Sequence, residues 1–328
     1  MTFQHFAEYL AKLELTSSRL TMTAVLAELW RELTPAETTI TAYLLQGVLL
    51  PSYVSLEFQL STKMVLRALG RLQPNQTTEL PLGLFGADDT TATQSDQAST
   101  AMLQRYKQLG DIGLTAEQVM AALAKSPSGS VQQPHTIEQV YAALVQIARL
   151  GGSGSQEQKL EQLVQLLKVS SPLEAKYIAR IIIGKLRLGF STMTLMDSLS
   201  WAKHESKIDS EMLEMAYQQK ADIGKLAESY LHHDFSIDAY RVEVGVPLVP
   251  ALCQRLNTAA EIIEKMSSVY AEPKYDGLRI QIHIDKAGII ETDLSGQPTG
   301  RKPLYKAFTR NLEDVSDMFP ELAAVVEQ

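Results

Sequence analysis

The chain has 328 residues, 45% of them hydrophobic, so it is long enough for two domains and too apolar to be disordered. No apolar run reaches membrane-spanning length, the first residues lack the basic start of a signal peptide, and a single cysteine excludes an intrachain disulfide and a cysteine-based zinc cluster. These features predict a cytoplasmic globular protein with no membrane partner. The formal net charge of −8 argues against a nucleic-acid partner unless cations cluster locally.

Helix signals dominate the first two thirds of the chain. Apolar residues recur at helical spacing, beginning with Phe3, Phe6, Leu10 and Leu13. The candidate capping boxes are Thr34 with Glu37, Thr115 with Gln118, Thr136 with Gln139, and Ser171 with Glu174. The first and last of these also have proline at the first helical position. The sequence therefore predicts a mainly α-helical part up to about residue 235.

Two polar stretches interrupt the helical pattern. Gln73–Thr100 is rich in Thr, Gln, Asp and Gly and predicts a long surface loop, and Ser126–Pro134 predicts a shorter one. The helical part also contains a short internal echo. Gly110-Asp111-Ile112-Gly113 precedes one helical run and Ala221-Asp222-Ile223-Gly224 precedes another. The echo is a candidate internal repeat of two helical lobes.

A cluster of cations follows the start of one predicted helix. The four cations are Lys176, Arg180, Lys185 and Arg187. The first two share a helix face, and Gly184 can end that helix so that the other two project from the turn. Ser191 or Thr192 can cap a following helix, whose N-terminal amides would face an anion. This pattern favours contact with a DNA backbone, and a helical hairpin with a solvated basic edge is the alternative.

The helical pattern ends at about residue 235, and one stretch after it contains candidate catalytic residues. Lys274-Tyr275-Asp276-Gly277-Leu278-Arg279 places a lysine, a tight turn and an arginine within six positions. The Asp-Gly pair predicts a turn between two strands, and Ile280, Ile282 and Ile284 then alternate with polar residues as in a half-buried strand. We therefore expect Lys274 and Arg279 to flank one turn and to act on one ligand. An ordinary hairpin with solvated basic side chains is the alternative.

Lys274-x-Asp276-Gly277-x-Arg279 resembles the nucleophile motif of the covalent nucleotidyltransferases, which are ATP-dependent DNA ligases, RNA ligases and mRNA-capping enzymes. The resemblance implies that Lys274 attacks the α-phosphorus of ATP and becomes a lysyl-AMP, with Mg²⁺ as the second cofactor. It also implies ATP-binding roles for Glu272, Arg279 and Arg310. In this family Glu272 would read the adenine base, and Arg310 would contact the ribose or phosphates.

Three further segments resemble the helical DNA-binding domain of the larger ATP-dependent DNA ligases: Leu15–Thr23, Gly47–Tyr53 and Gly184–Gly189. The chain is therefore identified as similar to such a ligase over nearly its whole length. The resemblance implies a mainly α N-terminal helical DNA-binding domain, residues 1–235, followed by the start of an α+β nucleotidyltransferase (adenylation) domain, residues 236–328. In that family the helical domain binds nicked double-stranded DNA in replication, repair and recombination.

The resemblance also predicts that the adenylation domain is incomplete. Members of the family continue into an acidic motif that holds the metal, so we expect an incomplete adenylation domain, no identifiable metal ligand and a missing C-terminal half as a partner. The stretch 285–306, with Pro298 and Pro303, forms a longer connection than most relatives have. Two alternatives remain: an RNA-directed nucleotidyltransferase, and a non-catalytic fragment that only binds nicked DNA.

Overall fold

The computed structural model describes residues 1–72, 94–125, 134–251, 254–292 and 298–322. They form two compact units. The first comprises Met1–Pro51, Leu56–Glu211 and Ile223–Asp234, and the second comprises Ser52–Ser55, Met212–Asp222 and Phe235–Gln328. The predicted fold class, mainly α followed by the start of an α+β part, is confirmed. Among the described helices, none combines the length and the apolar character that crossing a membrane requires.

The first unit is built from helices with marked starts. They are α1 (Phe3–Glu14), α2 (Arg19–Arg31), α3 (Pro35–Leu45), α4 (Thr62–Leu72), α5 (Gln94–Leu109), α6 (Ile112–Ala124), α7 (Ile137–Arg149), α8 (Ser155–Val169), α9 (Pro172–Ile182), α10 (Thr192–His204), α11 (Ser210–Gln219), which continues into the second unit, and α12 (Ile223–His232). The capping boxes that start α3, α7 and α9 are confirmed. The box predicted at Thr115 is wrong, because α6 begins earlier with Asp111 as its N-cap. The Thr115 hydroxyl instead donates to the Asp111 carbonyl oxygen at 2.7 Å.

One predicted loop is partly helical. Helix α5 begins at Gln94, so the loop prediction for Gln73–Thr100 is wrong from residue 94 onward. No glycine or proline occurs between Gln94 and Gly110 to interrupt a helix there. Residues 73–93 lie outside the described residues, as do 126–133 of the second predicted loop.

The second unit contains a long antiparallel hairpin. Strands β1 (Ile280–Thr292) and β2 (Pro298–Thr309) pair from Ile280 with Thr309 onward, with an irregularity between Asp285 and Ile289. Helix α13 (Ala259–Lys265) precedes the hairpin, and a 3₁₀ turn (Ser316–Met318) follows it. The stretch 285–306, predicted as a long connection, therefore consists largely of the two hairpin arms. Residues 293–297 lie outside the described part of the chain.

The predicted internal repeat is present in the first unit, where α3 and α9 are equivalent. Each has eleven residues and begins with a Ser/Thr-Pro-x-Glu capping box. Each ends at a glycine with positive φ, Gly47 at 73° and Gly184 at 68°. In both, the amides of that glycine and of the next residue donate to carbonyls of the last turn, the Schellman arrangement. The prediction that Gly184 ends its helix is thus confirmed.

The two repeats exchange their partners. Helix α3 packs against α12, and α9 packs against α6, so each partner is a helix that follows the Asp-Ile-Gly echo. The contact of α1 with α9 is mirrored by α7 with α3, and that of α2 with α10 by α8 with α4. Each repeat thus packs its helices on the other, as the subunits of a two-fold dimer do.

A glycine of the echo makes each exchanged contact possible. A Cβ on Gly113 would lie 2.7 Å from both Nε of Arg180 and the carbonyl oxygen of Lys176. A Cβ on Gly224 would lie 2.5 Å from Cζ of Tyr43. Tyr43 and Arg180 occupy the same position in α3 and α9. At Gly113 the close atoms include the backbone of α9, whereas at Gly224 they belong to the ring of Tyr43, so in both places a side chain would collide with the packed partner.

We expect Gly113→Ala and Gly224→Ala each to lower the free energy of unfolding by about 1–3 kcal/mol, because the methyl group overpacks the helix contact. Alanine favours helices over glycine, so propensity alone predicts the opposite sign. Gly151→Ala is the matched control, since a Cβ there meets nothing within 4 Å. Urea unfolding measures all three, and stabilities at or above wild type for the first two would contradict the close approach.

Candidate nucleic-acid interface and nucleotide site

The four cations predicted to contact DNA do not share one exposed surface. Lys176 and Arg180 lie inside the first unit, with 8% and 2% of their surface exposed, whereas Lys185 and Arg187 are exposed. The spacing of Lys176 and Arg180 does place them on one helix face, but that face is covered by neighbouring helices. Carboxylates from α1 and from the start and first turns of α6 receive them: Glu14, Asp111 and Glu117.

The buried cations form a compact ion network. Arg180 donates from Nη2 to Glu14 Oε1 at 3.0 Å and from Nε to Asp111 Oδ1 at 3.2 Å. Lys176 Nζ lies 2.9 Å from the second oxygen of Glu14. Burial alone would raise the pKa of Glu14, but hydrogen bonds from Arg180 and Lys176 outweigh it and lower that pKa to about 2. Glu14 is therefore ionised at neutral pH, as a buried cation pair requires.

The loop after α9 presents the two remaining cations. Leu186 and Leu188 are buried, with 7% and 5% exposed, and the residues between and before them, Arg187 and Lys185, point outward. Arg180 donates from Nη1 to the Leu186 carbonyl oxygen at 3.3 Å, which fixes the loop from below. The loop Gly184–Leu188 is therefore anchored to the first unit by buried side chains and a hydrogen bond.

Three segments that resemble the ligase signatures meet at this loop. A Cβ on Gly47 would lie 3.7 Å from the carbonyl carbon of Gly184, so the two equivalent loops are in contact distance. A Cβ on Gly189 would likewise lie 3.8 Å from the methyl group of Met22. Gln46 at the end of α3 donates to the Thr192 hydroxyl at 3.4 Å.

Helix α10 starts at this junction with its first turn open. Ser191 is the N-cap, in agreement with the sequence, and makes no side-chain capping hydrogen bond. The free N–H groups of such a turn favour an anion.

The predicted nucleophile Lys274 lies in an exposed segment without a strand. Residues 271–279 are all exposed, and β1 begins only at Ile280. The prediction of a hairpin turn at Asp276-Gly277 is wrong, because β1 pairs with β2 instead. The preceding run contains Pro273, which has no N–H to donate to a ladder. Within the described residues, no hydrogen bond or ion pair involves Lys274, Glu272 or Arg279.

The hairpin register brings two predicted ATP-binding arginines to one end of the sheet. Arg279 directly precedes Ile280, and Arg310 directly follows Thr309, the partner of Ile280. Opposed residues of an antiparallel pair lie about 5 Å apart, so the two backbones are neighbours at this end. Both arginines are exposed. Their positions fit a phosphate-bearing ligand, whereas the described residues include no group of three or more His, Cys, Asp or Glu able to hold a metal ion.

The buried face of β1 is opposite to the one predicted from the isoleucines. Ile282 and Ile284 are 47% and 44% exposed, and His283 is buried at 8%. The polar side chains turn inward because they have backbone partners. Alternation of residue types specifies two faces, and here hydrogen bonding decides which of them is covered.

Sequence reasoning missed these partners, which belong to Gly245–Val249, hereafter the strap. Gln281 donates to the Leu248 carbonyl oxygen at 2.6 Å and accepts from the Leu248 amide at 3.0 Å. Gly245 N–H donates to Nδ1 of His283 at 3.2 Å. The strap therefore runs beside β1 in the direction of Arg279. The sequence did contain one signal for the strap. Gln281 and His283 lie two residues apart in a strand, and each side chain can hydrogen-bond the backbone of a neighbouring segment.

The chain is similar to DNA ligases. The family model described as DNA ligase N terminus matches residues 2–200. The chain is 34% identical over 333 residues to the DNA ligase of Pyrobaculum arsenaticum, with 100% of this chain and 50% of the relative covered. It is 32% identical over 335 residues to DNA ligase 2 of Thermofilum pendens, with coverage of 100% and 49%. The Probable DNA ligase of Dictyoglomus thermophilum is 31% identical over 327 residues, with coverage of 99% and 48%. The chain thus spans about half the length of the curated relatives it matches.

We expect the stability of the second unit to fall as pH drops below about 6.5, the ordinary pKa of histidine. Burial lowers the pKa of His283, so the unfolded chain takes up the proton first. Stability is therefore complete above about pH 6.5 and is lost as pH falls through the folded-state pKa. Hydrogen exchange of the Gly245 and Leu248 amides measures this between pH 7.5 and 5.

His283→Gln keeps a hydrogen-bonding side chain without a titration, and should flatten this pH dependence after correction for intrinsic exchange rates. His233→Gln, at an exposed histidine of the first unit, is the control and should not change it. An unchanged pH profile in His283→Gln would show that another group controls the strap.

Proposed function

Because the chain belongs to the DNA ligase N-terminus family, we propose that it acts in an ATP-dependent DNA ligase that seals nicks in double-stranded DNA during replication, repair and recombination. In this proposal residues 1–235 are the helical DNA-binding domain. Residues 236–328 begin the adenylation domain. DNA and ATP are the substrates, and Mg²⁺ counters phosphate charge.

The single observation that supports DNA binding is the pair of adjacent, equivalent loops at Gly47 and Gly184. The second loop carries exposed Lys185 and Arg187, and each loop follows a helix that packs against other helices of the first unit. Cations that contact the DNA backbone bind its phosphates regardless of base sequence. A nick occurs in any sequence, so contact of this kind suits the substrate. Lys176 and Arg180 then act by supporting the loop from inside.

The catalytic half of the proposal concerns the second unit. Lys274 Nζ, once deprotonated, attacks the α-phosphorus of ATP, forms a phosphoramidate bond and releases pyrophosphate. The AMP then passes to the 5′-phosphate at the nick, and the 3′-hydroxyl displaces AMP to form the phosphodiester. Arg279 and Arg310 at the hairpin end would bind phosphate oxygens, and Glu272 would contact the adenine. This chain matches about half of each relative. We infer that the full reaction also requires residues equivalent to the half of the relatives that this chain does not match.

A second candidate, nick binding without catalysis, is favoured by one observation. Lys274 is exposed on a segment in which the described residues provide no side-chain partner. A nucleophilic lysine ordinarily needs enclosure or close cations. The RNA-directed alternative is less favoured, because the matched family model is that of a DNA ligase N terminus.

For the DNA interface, Lys185→Gln and Arg187→Gln should each weaken binding to a nicked duplex about three- to tenfold and reduce the slope of log K against log salt by about 0.9. Fluorescence anisotropy over a salt series gives both quantities. Lys168→Gln is the matched control. Lys168 is exposed in the last turn of α8, and the eleven-residue helix α9, about 16 Å long, separates it in the chain from Gly184. Equal effects from all three variants would indicate nonspecific charge attraction and contradict the assigned interface.

For the nucleotide site, Lys274→Ala should abolish covalent labelling by α-labelled ATP with Mg²⁺ while leaving nick binding within about twofold, because the lysine itself forms the bond. Lys286→Ala, at an exposed lysine of β1, is the control and should keep the label. The assay is run on this chain alone and with the remaining half of a relative added as a separate polypeptide.

Label on the chain alone would mean that these residues suffice for the first step. Label only with the added half would mean that the nucleotide pocket is shared between them. No label in either case would contradict the ligase proposal for Lys274 and favour nick binding without catalysis.

A further inference from the structure

We propose that Asp111 is a positioning residue for DNA binding, which holds the Arg187 guanidinium in the orientation that meets a backbone phosphate. The inference rests on the proposed DNA interface and adds to it a buried acid that supports binding of a polyanion.

Asp111 joins the buried ion network to the surface loop. It is 3% exposed, and its Oδ1 accepts from the Leu114 amide at 2.8 Å and from Arg180 Nε. Its other oxygen lies 3.2 Å from Nε of Arg187. The preceding residue contributes as well, because the Gly110 carbonyl oxygen accepts from Arg187 Nη2 at 2.9 Å. One short turn therefore binds one edge of the guanidinium.

The bound edge leaves the rest of Arg187 free for a ligand. A guanidinium has five N–H donors. One of them donates to the Gly110 carbonyl oxygen, and Nε lies in the ion pair with Asp111, so these contacts involve a single edge of the group. The Arg187 side chain is 55% exposed, so a ligand can reach it from solvent. A side chain fixed in this way loses little rotamer entropy when it binds a phosphate.

The loop needs this contact because of its own backbone and charge. Arg187 has φ of 59°, a conformation that L-residues with long side chains rarely adopt. Arg180 lies directly below, donating to the carbonyl oxygen of the residue before Arg187. Without the shared carboxylate two guanidinium groups would repel each other at this point. Arg187 would then turn away into solvent.

The internal repeat supplies independent support. Asp222 stands at the position of Asp111 in the echo and is also buried, with 2% exposed. Its Oδ2 accepts from the Tyr53 hydroxyl at 3.0 Å. Tyr53 lies six residues after Gly47, whereas Arg187 lies three residues after Gly184, so the two side chains do not occupy the same position in the repeat. Each aspartate nevertheless contacts a residue that follows the equivalent helix of the other repeat. A contact with the segment after that helix therefore recurs in the second copy.

Charge and positioning predict opposite signs for the same substitution. Removing a carboxylate near bound phosphates should strengthen binding if only charge matters, because like charges repel. Removing the group that orients Arg187 should weaken it. Asp111→Asn distinguishes the two, since asparagine keeps an oxygen for Leu114 and Arg180 but loses the charge and the second acceptor.

The experiment measures binding of the full chain to a nicked duplex by anisotropy over a salt series, with thermal melting in parallel. We expect Asp111→Asn to weaken binding about three- to tenfold and to reduce the salt slope by about 0.9, as Arg187→Gln does. In the Arg187→Gln background the same change should have almost no further effect. Glu138→Gln removes an exposed charge on the first turn of α7 and should leave binding unchanged or slightly stronger.

Arg187→Lys tests the inference without touching the buried network. Lysine keeps the charge but has a single nitrogen, so it cannot bind Asp111 and Gly110 along one edge and still present a planar fork. We expect it to bind like Arg187→Gln. Wild-type affinity and slope in both Arg187→Lys and Asp111→Asn, with a loss in Arg187→Gln, would overturn the positioning role and leave the DNA interface standing. No effect of Arg187→Gln would overturn both.

Discussion

The first unit depends on one buried charge, the guanidinium of Arg180. With 2% of its surface exposed, it cannot be solvated, so its charge must be met inside the protein. Glu14 from α1, Asp111 at the start of α6 and the Leu186 carbonyl from the loop after α9 meet it together. Because these groups come from three places in the chain, satisfying one side chain fixes two helix contacts and a surface loop. The geometry of Lys185 and Arg187 follows from that network.

The negative net charge has a physical explanation in these contacts. Glu14, Asp111 and Glu117 lie in or beside the network and neutralise buried cations. Their charges therefore act over short distances inside the unit and contribute little to the potential that an approaching DNA would meet. A chain can carry −8 in total and still present two exposed cations, Lys185 and Arg187, on one loop. Composition measures the sum, whereas binding depends on which charges lie exposed at the surface.

Local signals in the sequence predicted local structure well. The capping boxes at Thr34 and Ser171, and the glycine that ends α9, need only neighbouring residues, so they could be identified without a fold. The Asp-Ile-Gly echo predicted the repeat because each copy marks the same close helix contact. The burial of Lys176 and Arg180 could not be predicted, since the carboxylate of Glu14 is more than 160 residues away. The buried face of β1 was missed for the same reason, because the strap that covers it lies 33 to 38 residues upstream.

DNA binding and lysine catalysis, the two parts of the proposed function, need different surroundings for the side chains involved. A phosphate contact works at a surface, because a fixed guanidinium binds an oxyanion even in water. Attack by a lysine requires a neutral amine, which in enzymes comes from enclosure and close positive charge. The hairpin end supplies the charge, through Arg279 and Arg310, next to a segment that is fully exposed. In the proposed reaction the nucleotide's phosphates would draw both arginines toward the lysine, so nucleotide binding would have to precede formation of the nucleophile.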